Sequence, residues 1–285
     1  MWIDIKQFAA ERCPLKVLLP LGTILWVAPL TLVHPLHIVK AISGCIGVLM
    51  LIFILRMADD LSDLSVDRKW HPERGLSHGE ISAKRIKGAV FAGSLLLVFF
   101  NHWRPGIYCF GGLAIFYIFY YLFKTKLPVS VLPLLVNLVF LFIPLYCGWM
   151  MTGSASFSLW LLAMFIWAAV VGHDFAHSVH GLDEVLPGVD TPSRHLGSKT
   201  AAIAGLIGYL AAIIFGGVFW YLNYGGLLFG LMLAGTCILI MVLAVRLVRR
   251  PIQRNARPFF IWGFVFFLLP LLGLIIERLI MMVTG

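Results

Sequence analysis

Long apolar stretches separated by short polar loops dominate the chain. No alternation of apolar and polar positions interrupts these stretches, so the pattern predicts α-helices rather than β-strands. Most stretches are long enough to cross the hydrocarbon core of a bilayer, although the third and the sixth are short for that purpose. We expect an all-α membrane protein in which residues 1–285 form one domain, a bundle of nine transmembrane helices around a central cavity. The nine apolar segments are 15–33, 37–58, 86–100, 106–123, 129–151, 157–172, 200–221, 225–247 and 258–283.

The composition supports a membrane location. The chain is 61% hydrophobic and 12% of its residues are charged, which is about half the charged share of soluble domains. The net charge of +9 would suit a nucleic-acid partner, but the placement of the basic residues gives a better explanation. With the amino terminus in the cytoplasm, 19 of the 22 Lys and Arg residues fall on the cytoplasmic side, as the positive-inside rule requires. We therefore expect no nucleic-acid partner, a cavity open to the cytoplasm and, in a bacterium, a place in the inner membrane.

Four aspartates cluster directly after the second apolar segment. Asp60, Asp63 and Asp67 are spaced i, i+3 and i+7, so on a continuous helix they share one face, with Asp59 at its edge. Carboxylates this close repel one another unless water, protons or a bound cation offset their charge. Mg²⁺ takes oxygen ligands and commonly joins carboxylates to substrate phosphates. The cluster therefore predicts a Mg²⁺–diphosphate site at the membrane surface; the alternative is a solvated acidic helix end.

A second acidic stretch follows the sixth apolar segment. It contains Asp174, Asp183 and Glu184, which we expect to face the first cluster because both loops lie on the same side of the membrane. If the sixth helix continues past Gly172, Asp174 and His177 share one face. His177 would then hydrogen-bond an anionic ligand or act as a base. Three histidines with helical spacing in this stretch also allow a transition-metal site.

Basic and polar side chains near these loops complete the predicted site. Arg74, Lys124 and Arg194 are candidates for binding a diphosphate, because cations stabilise the charge that develops on a departing anion. Lys124 closes the fourth apolar segment after three tyrosines, at the predicted mouth of the cavity. Asn137 is a polar residue within the fifth apolar segment, so we expect it to point into the bundle.

The order of residues in the first acidic stretch is distinctive. The stretch runs Asp59-Asp60-Leu-Ser-Asp63-Leu-Ser-Val-Asp67-Arg68. This run resembles the signature of the UbiA family of intramembrane prenyltransferases, Asn-Asp-x-x-Asp-x-x-x-Asp, with Asp59 in place of the Asn. The nine helices are similar to that family too, so the resemblance covers the whole chain. Further similarity lies in Glu11-Arg12-Cys13-Pro14-Leu15 and in Lys124.

The resemblance implies a reaction and a role for each residue. Two Mg²⁺ ions held by the two acidic loops would bind the diphosphate of a prenyl donor, and an aromatic, quinoid or lipid acceptor would take the prenyl group within the membrane. The implied catalytic residues are Asp60, Asp63, Asp67, Asp174 and Lys124. The implied metal ligands are Asp60, Asp63, Asp67, Asp174, Asp183 and Glu184. The implied substrate-binding residues are Asp59, Arg74, His177, Asn137, Asp183 and Arg194.

The second acidic stretch departs from the pattern of this family. His177-Ser178 stands where Arg-Lys is expected, and Pro192-Ser193 stands where Tyr-Ser is expected. Because site residues rather than fold decide the reaction, the loss of two cations keeps a terpene cyclase open as an alternative. In a cyclase, the double bonds of the prenyl chain attack its own carbocation. A third hypothesis is a non-enzymatic transporter or scaffold for isoprenoid lipids.

Overall fold

The protein is described here by a computed structural model that covers residues 2–101, 104–179 and 191–284. Over these residues the chain forms helices joined by turns, without a β-strand, as the apolar pattern predicts. The helices are α1 Trp2–Arg12, α2 Leu15–Leu30, α3 Ile38–Ser62, α4 Leu64–Trp70, α5 Gly75–His78, α6 Ala83–Phe100, α7 Arg104–Phe123, α8 Leu132–Val136, α9 Leu138–Thr152, α10 Phe157–His177, α11 Pro192–Leu196, α12 Ser198–Tyr221, α13 Leu227–Arg249, α14 Gln253–Ala256 and α15 Phe259–Thr284.

All nine predicted apolar segments fall on helices, but fewer helices qualify as membrane spans. Within the described part of the chain, six helices are long and apolar enough to cross a bilayer, or seven if the bent pair of α1 and α2 counts as one crossing. Helix α6 is a clear case of a segment that falls short, because its amino-terminal end carries Lys84, Arg85 and Lys87 and its apolar part is correspondingly brief. Nine crossings and a cavity open to the cytoplasm therefore stay predictions.

Helix α10 lies at the centre of the bundle. It packs against α9, α12 and α15, and most of its residues are buried. The helix continues to His177, five residues past the end of its predicted apolar segment. Asp174 and His177 therefore lie on regular helix at the polar end of α10, as expected if the helix passed Gly172.

Three glycines bring α10 and α12 into close contact. A Cβ atom on Gly208 would lie 2.6 Å from the Cα of Gly172, and one on Gly172 would lie 2.9 Å from the backbone nitrogen of Tyr209. Gly205 faces the next turn of α10 in the same way. Small residues allow helix backbones to approach closely where lipid replaces water. The contact fixes α10, and with it Asp174, against the second half of the bundle.

We expect Gly208→Ala to destabilise the protein. The added methyl group would overlap the backbone of α10, and overpacking of this kind costs about 1–3 kcal/mol. The matched control is Gly217→Ala on the same helix, where an added Cβ would meet no atom within 4 Å and alanine is the better helix former. Thermal unfolding in detergent compares the two variants. Equal melting temperatures would show that the close contact is not limiting.

The fifth apolar segment is divided at Asn137. Helix α8 ends one residue before it and α9 begins one residue after it. The hydroxyl of Tyr117 donates to the carbonyl of Val136 at 2.7 Å and accepts from the backbone nitrogen of Val139 at 3.1 Å. It thereby satisfies backbone groups that the break would leave unpaired inside the membrane. The break positions the buried Asn137 side chain toward α10.

Candidate active site

The helix that carries the first acidic cluster ends inside the cluster. Helix α3 stops at Ser62, Asp63 follows as its cap, and α4 starts at Leu64. Asp60, Asp63 and Asp67 therefore do not share one face of a continuous helix, which is what their spacing predicts. Each of them contacts a different basic residue instead. The break reduces the mutual repulsion that three carboxylates on one face would experience.

Asp60 is buried and bound by two arginines. From Arg12, Nε donates to Oδ2 at 2.7 Å and Nη2 donates to Oδ1 at 3.1 Å. Arg56, one turn earlier on α3, places Nη2 3.1 Å from Oδ1. The Asp60 side chain is only 6% exposed, so both guanidinium groups compensate a charge that water reaches poorly. This ion pair ties α1 to the polar end of α3.

Asp63 contacts Lys124 at the end of α7. The ammonium nitrogen of Lys124 lies 2.5 Å from Oδ1 of Asp63 and 2.6 Å from the hydroxyl oxygen of Ser62. The same ammonium group lies 5.7 Å from the centre of the Tyr121 ring, within the range of a cation–π attraction. Lys124 begins the short 3₁₀ turn Lys124–Lys126. The fold thus brings Lys124 to the first acidic cluster, although about sixty residues separate them in sequence.

The remaining two aspartates of the cluster also lie beside cations. Arg74 donates through Nη1 to Oδ2 of Asp67 at 2.6 Å. Asp59 has Nη1 of Arg56 at 3.6 Å, which is too long for a good hydrogen bond, and its side chain is 35% exposed. All four carboxylates are therefore charge-compensated, with Asp59 the most weakly held.

Asp174 approaches the first cluster from α10. Its Oδ2 accepts a hydrogen bond of 2.6 Å from the side-chain amide of Asn137, and it lies within electrostatic range of Asp59. Asp174 therefore lies at the same end of the bundle as the first acidic cluster. Asp174 also borders a cavity of about 230 Å³ that it shares with Val129, Leu132, Pro133, Val136 and Pro192.

Of the other predicted residues, the structure describes His177 and Arg194. The ring of His177 stacks on His173 with centroids 5.6 Å apart, and it lies 5.7 Å from the ring of Phe260 on α15. Arg194 lies on α11 and is exposed. Asp183 and Glu184 fall outside the described residues. Over the described ranges, no three His, Cys, Asp or Glu side chains converge as a metal site.

Sequence reasoning did not assign Arg12 and Arg56 to the site. Arg56 precedes Asp60 by four residues, and this spacing on a helix is a known signal for an ion pair. Arg12 lies 48 residues from Asp60, so no local pattern links the two. Only the packing of α1 against the polar end of the bundle brings them together.

Comparison with known proteins assigns the chain to a family. The family described as the UbiA prenyltransferase family matches residues 17–269. The chain belongs to the UbiA prenyltransferase family. The match includes both acidic stretches, Asn137 and Lys124, so the candidate site lies within the family region except for Arg12, which precedes it.

Two solved structures share the fold of this UbiA-family protein. One is described as digeranylgeranylglyceryl phosphate synthase, with a TM-score of 0.72, 17% identity, and coverage of 97% of this chain and 99% of that chain. The other is the apo structure of a UbiA homolog from Aeropyrum pernix K1, with a TM-score of 0.72, 17% identity, and coverage of 94% and 98%. No curated protein sequence matches the chain. At this identity the two structures establish the fold and leave the substrate to be argued from the site.

Proposed function

We propose that this UbiA-family protein is a Mg²⁺-dependent intramembrane prenyltransferase. It would ionise a prenyl diphosphate and transfer the prenyl group to an aromatic, quinoid or lipid acceptor. The observation that carries the proposal is the meeting of Asp63, Lys124 and Ser62 at the polar end of an apolar bundle. Carboxylates and a cation at a lipid boundary suit a ligand with an anionic head and an apolar tail.

The carboxylates have the donor chemistry that a divalent cation prefers, and the described ones would have to move together to bind it, since no three of them converge. Asp59 and Asp63 are the most exposed of the cluster, at 35% and 45% of their side-chain area, so their oxygens are reachable. The ammonium group that Asp63 already holds supports the view that this position stabilises positive charge. We assign the metal to Asp59, Asp63, Asp67 and Asp174, with Asp183 and Glu184 as further ligands on the basis of sequence. When bound, Mg²⁺ would neutralise charge on the diphosphate as its ester bond breaks.

Asp60 receives a different role in this proposal. Two guanidinium groups already occupy its oxygens, from Arg12 and Arg56. Removing them would leave buried charges without partners, at a cost of several kcal/mol. We therefore assign Asp60 to fixing the end of α3, and thereby the positions of Asp59 and Asp63, rather than to ligating the metal.

The remaining steps follow from the residues around the cluster. The bond between the allylic carbon and the diphosphate oxygen breaks, and the oxygen keeps the electron pair. Lys124 leaves Asp63 and donates to the departing diphosphate, while Tyr117, Tyr120 and Tyr121 line the region where the allylic cation forms and attract it through their rings. A carbon or oxygen of the acceptor forms the new bond and then loses a proton. The apolar helices exclude water that would otherwise quench the cation.

A terpene cyclase is the second candidate, favoured by one observation. His177 and Ser178 replace the two cations expected on the second acidic stretch, and the His177 ring stacks among His173 and Phe260. Aromatic surroundings with fewer fixed cations would suit a carbocation that the double bonds of the same prenyl chain attack. In that case the double bonds of the donor replace the acceptor, and a proton is lost from the product.

One assay separates the candidates. Purified protein in lipid nanodiscs is incubated with Mg²⁺ and prenyl diphosphates of increasing chain length, with and without a panel of aromatic and glycerol-lipid acceptors. We expect diphosphate release only when donor and acceptor are both present. Release with a cyclic hydrocarbon as the product, in the absence of any acceptor, would indicate a cyclase. Binding of donors without any release would favour a transporter or scaffold and overturn both enzymatic candidates.

A further inference from the structure

The amino-terminal helix α1 has two distinct faces. Its inner face carries Asp4 and Phe8, both buried, and the Phe8 ring packs edge-to-face on Phe53 of α3 with centroids 6.1 Å apart. Its outer face carries Trp2 and Ile3, which are 75% and 77% exposed. Two large apolar side chains this exposed at a helix end require a partner surface.

The direction of α1 indicates what that surface is. Helices α1 and α2 meet at an angle of 78°, and α2 packs alongside α3, α9 and α15, each of which forms all or most of a segment that qualifies as a membrane span. A helix almost perpendicular to such a bundle lies nearly parallel to the bilayer surface. The exposed apolar surface also continues from α1 onto α2, where Leu15 and Val17 are 60% and 56% exposed.

The inner face of α1 binds the segment between the first acidic cluster and α6. Glu11 accepts a hydrogen bond from the backbone nitrogen of Gly75 at 3.1 Å. Asp4 accepts from the backbone nitrogen of Ser82 at 3.2 Å and from Arg85 at 3.1 Å. The Ser82 N–H and the Arg85 guanidinium hold the pKa of Asp4 well below its ordinary value, so these contacts persist at neutral pH. The Arg12–Asp60 pair adds a contact from the end of α1 to the end of α3. Helix α1 therefore binds both α3 and the segment 75–82.

We propose that α1 is an interfacial helix that lies on the bilayer surface and holds segment 75–82, which follows the first acidic cluster, at a fixed depth relative to that surface. Trp2 and Ile3 rest in the headgroup region, where tryptophan is favoured because its ring is apolar and its N–H is polar. Asp4 and Glu11 fix the segment 75–82 relative to α1, because they accept hydrogen bonds from its backbone amides. The partner is the phospholipid surface in which the protein itself is embedded, and the proposal holds whether or not the chain transfers prenyl groups.

Hydrogen–deuterium exchange tests the positioning, because Asp4 and Glu11 bind backbone amides directly. The full-length protein is studied in phospholipid nanodiscs. In Asp4→Ala and Glu11→Ala we expect exchange in segment 75–82 to accelerate up to about tenfold, the range expected for losing one net hydrogen bond. We expect a comparable acceleration in the double variant Trp2→Ser/Ile3→Ser. Ala10→Ser, on the exposed face of α1, is the matched control and should exchange at the wild-type rate. Wild-type exchange in the double variant would overturn the coupling.

Fluorescence quenching tests the membrane contact without a disruptive variant. The signal of Trp2 is obtained as the difference between wild type and Trp2→Phe, which retains an apolar ring. We expect phospholipids brominated near the headgroup to quench this difference signal and aqueous iodide to leave it unaffected. Quenching by iodide alone would place Trp2 in water and overturn the proposal.

Discussion

We expect Asp63→Ala to lower the rate of diphosphate release at least about 100-fold, the loss typical of removing one electrostatic group from an active site. Asp63 is the most exposed carboxylate of the first cluster and the one that Lys124 contacts. In the proposed mechanism, the variant would remove a ligand for the divalent cation and the carboxylate that Lys124 contacts. Single-turnover assays with a saturating prenyl donor, at several Mg²⁺ concentrations, measure the effect on the chemical step.

The control for this variant is Glu73→Ala in the same loop. Glu73 is 68% exposed and contacts only the ring of His71, at 3.1 Å, among the contacts that the structure gives for it. We expect its loss to change the rate less than about threefold. If Asp63→Ala also kept most of its activity while melting at the wild-type temperature, the metal site would have to be sought elsewhere in the bundle.

The apolar pattern was sufficient to predict the helices of this protein, but it did not define where every helix ends. All nine segments fall on helices because an apolar chain in lipid must satisfy its own backbone hydrogen bonds. The apolar run stops at Gly172, so hydropathy left open whether α10 continues further, and the helix does continue to His177. Gly205 of α12 packs closely against Ala176 in that last turn, and no hydropathy signal reports such a contact.

The candidate site was predicted in part. The sequence indicated that Asp63, Lys124, Asn137 and Asp174 belong together, and the fold brings Lys124 to Asp63 and Asn137 to Asp174. It also predicted a common face for Asp60, Asp63 and Asp67, which fails because α3 ends before Asp63. A spacing argument assumes a continuous helix, and it cannot anticipate that an arginine 48 residues away binds one of the three carboxylates.

The paired cations have a consequence for how a metal would bind. Lys124 occupies an oxygen of Asp63, and Arg74 occupies an oxygen of Asp67. In our proposal these side chains and a divalent cation compete for the same carboxylates. Binding of an anionic diphosphate would shift the balance, because it offers the displaced basic side chains a new partner. Donor and divalent cation should therefore bind with positive cooperativity.

Lys124→Met separates the two roles that this competition gives to one residue. Because the variant removes the group that competes for Asp63, we expect half-saturation at a Mg²⁺ concentration about threefold to tenfold lower, which corresponds to losing a competing contact of about 1 kcal/mol net. Because the variant also removes the donor to the leaving group, we expect kcat to fall about 100-fold. Tighter apparent Mg²⁺ binding together with slower turnover is the signature of the proposed mechanism. Titration of Mg²⁺ without donor, followed by calorimetry, measures the first change, and turnover at saturating donor and Mg²⁺ measures the second.

Lys126→Met provides the matched control. Lys126 lies in the same 3₁₀ turn, but its ammonium group lies over the ring of Phe123 at 5.5 Å rather than at the acidic cluster, so both parameters should stay near wild type. A lower kcat with unchanged Mg²⁺ dependence in Lys124→Met would mean that Lys124 contacts the donor without competing for Asp63. Unchanged values of both would remove Lys124 from the site, and the meeting of Lys124 with Asp63 and Ser62 could then no longer support a diphosphate-binding function.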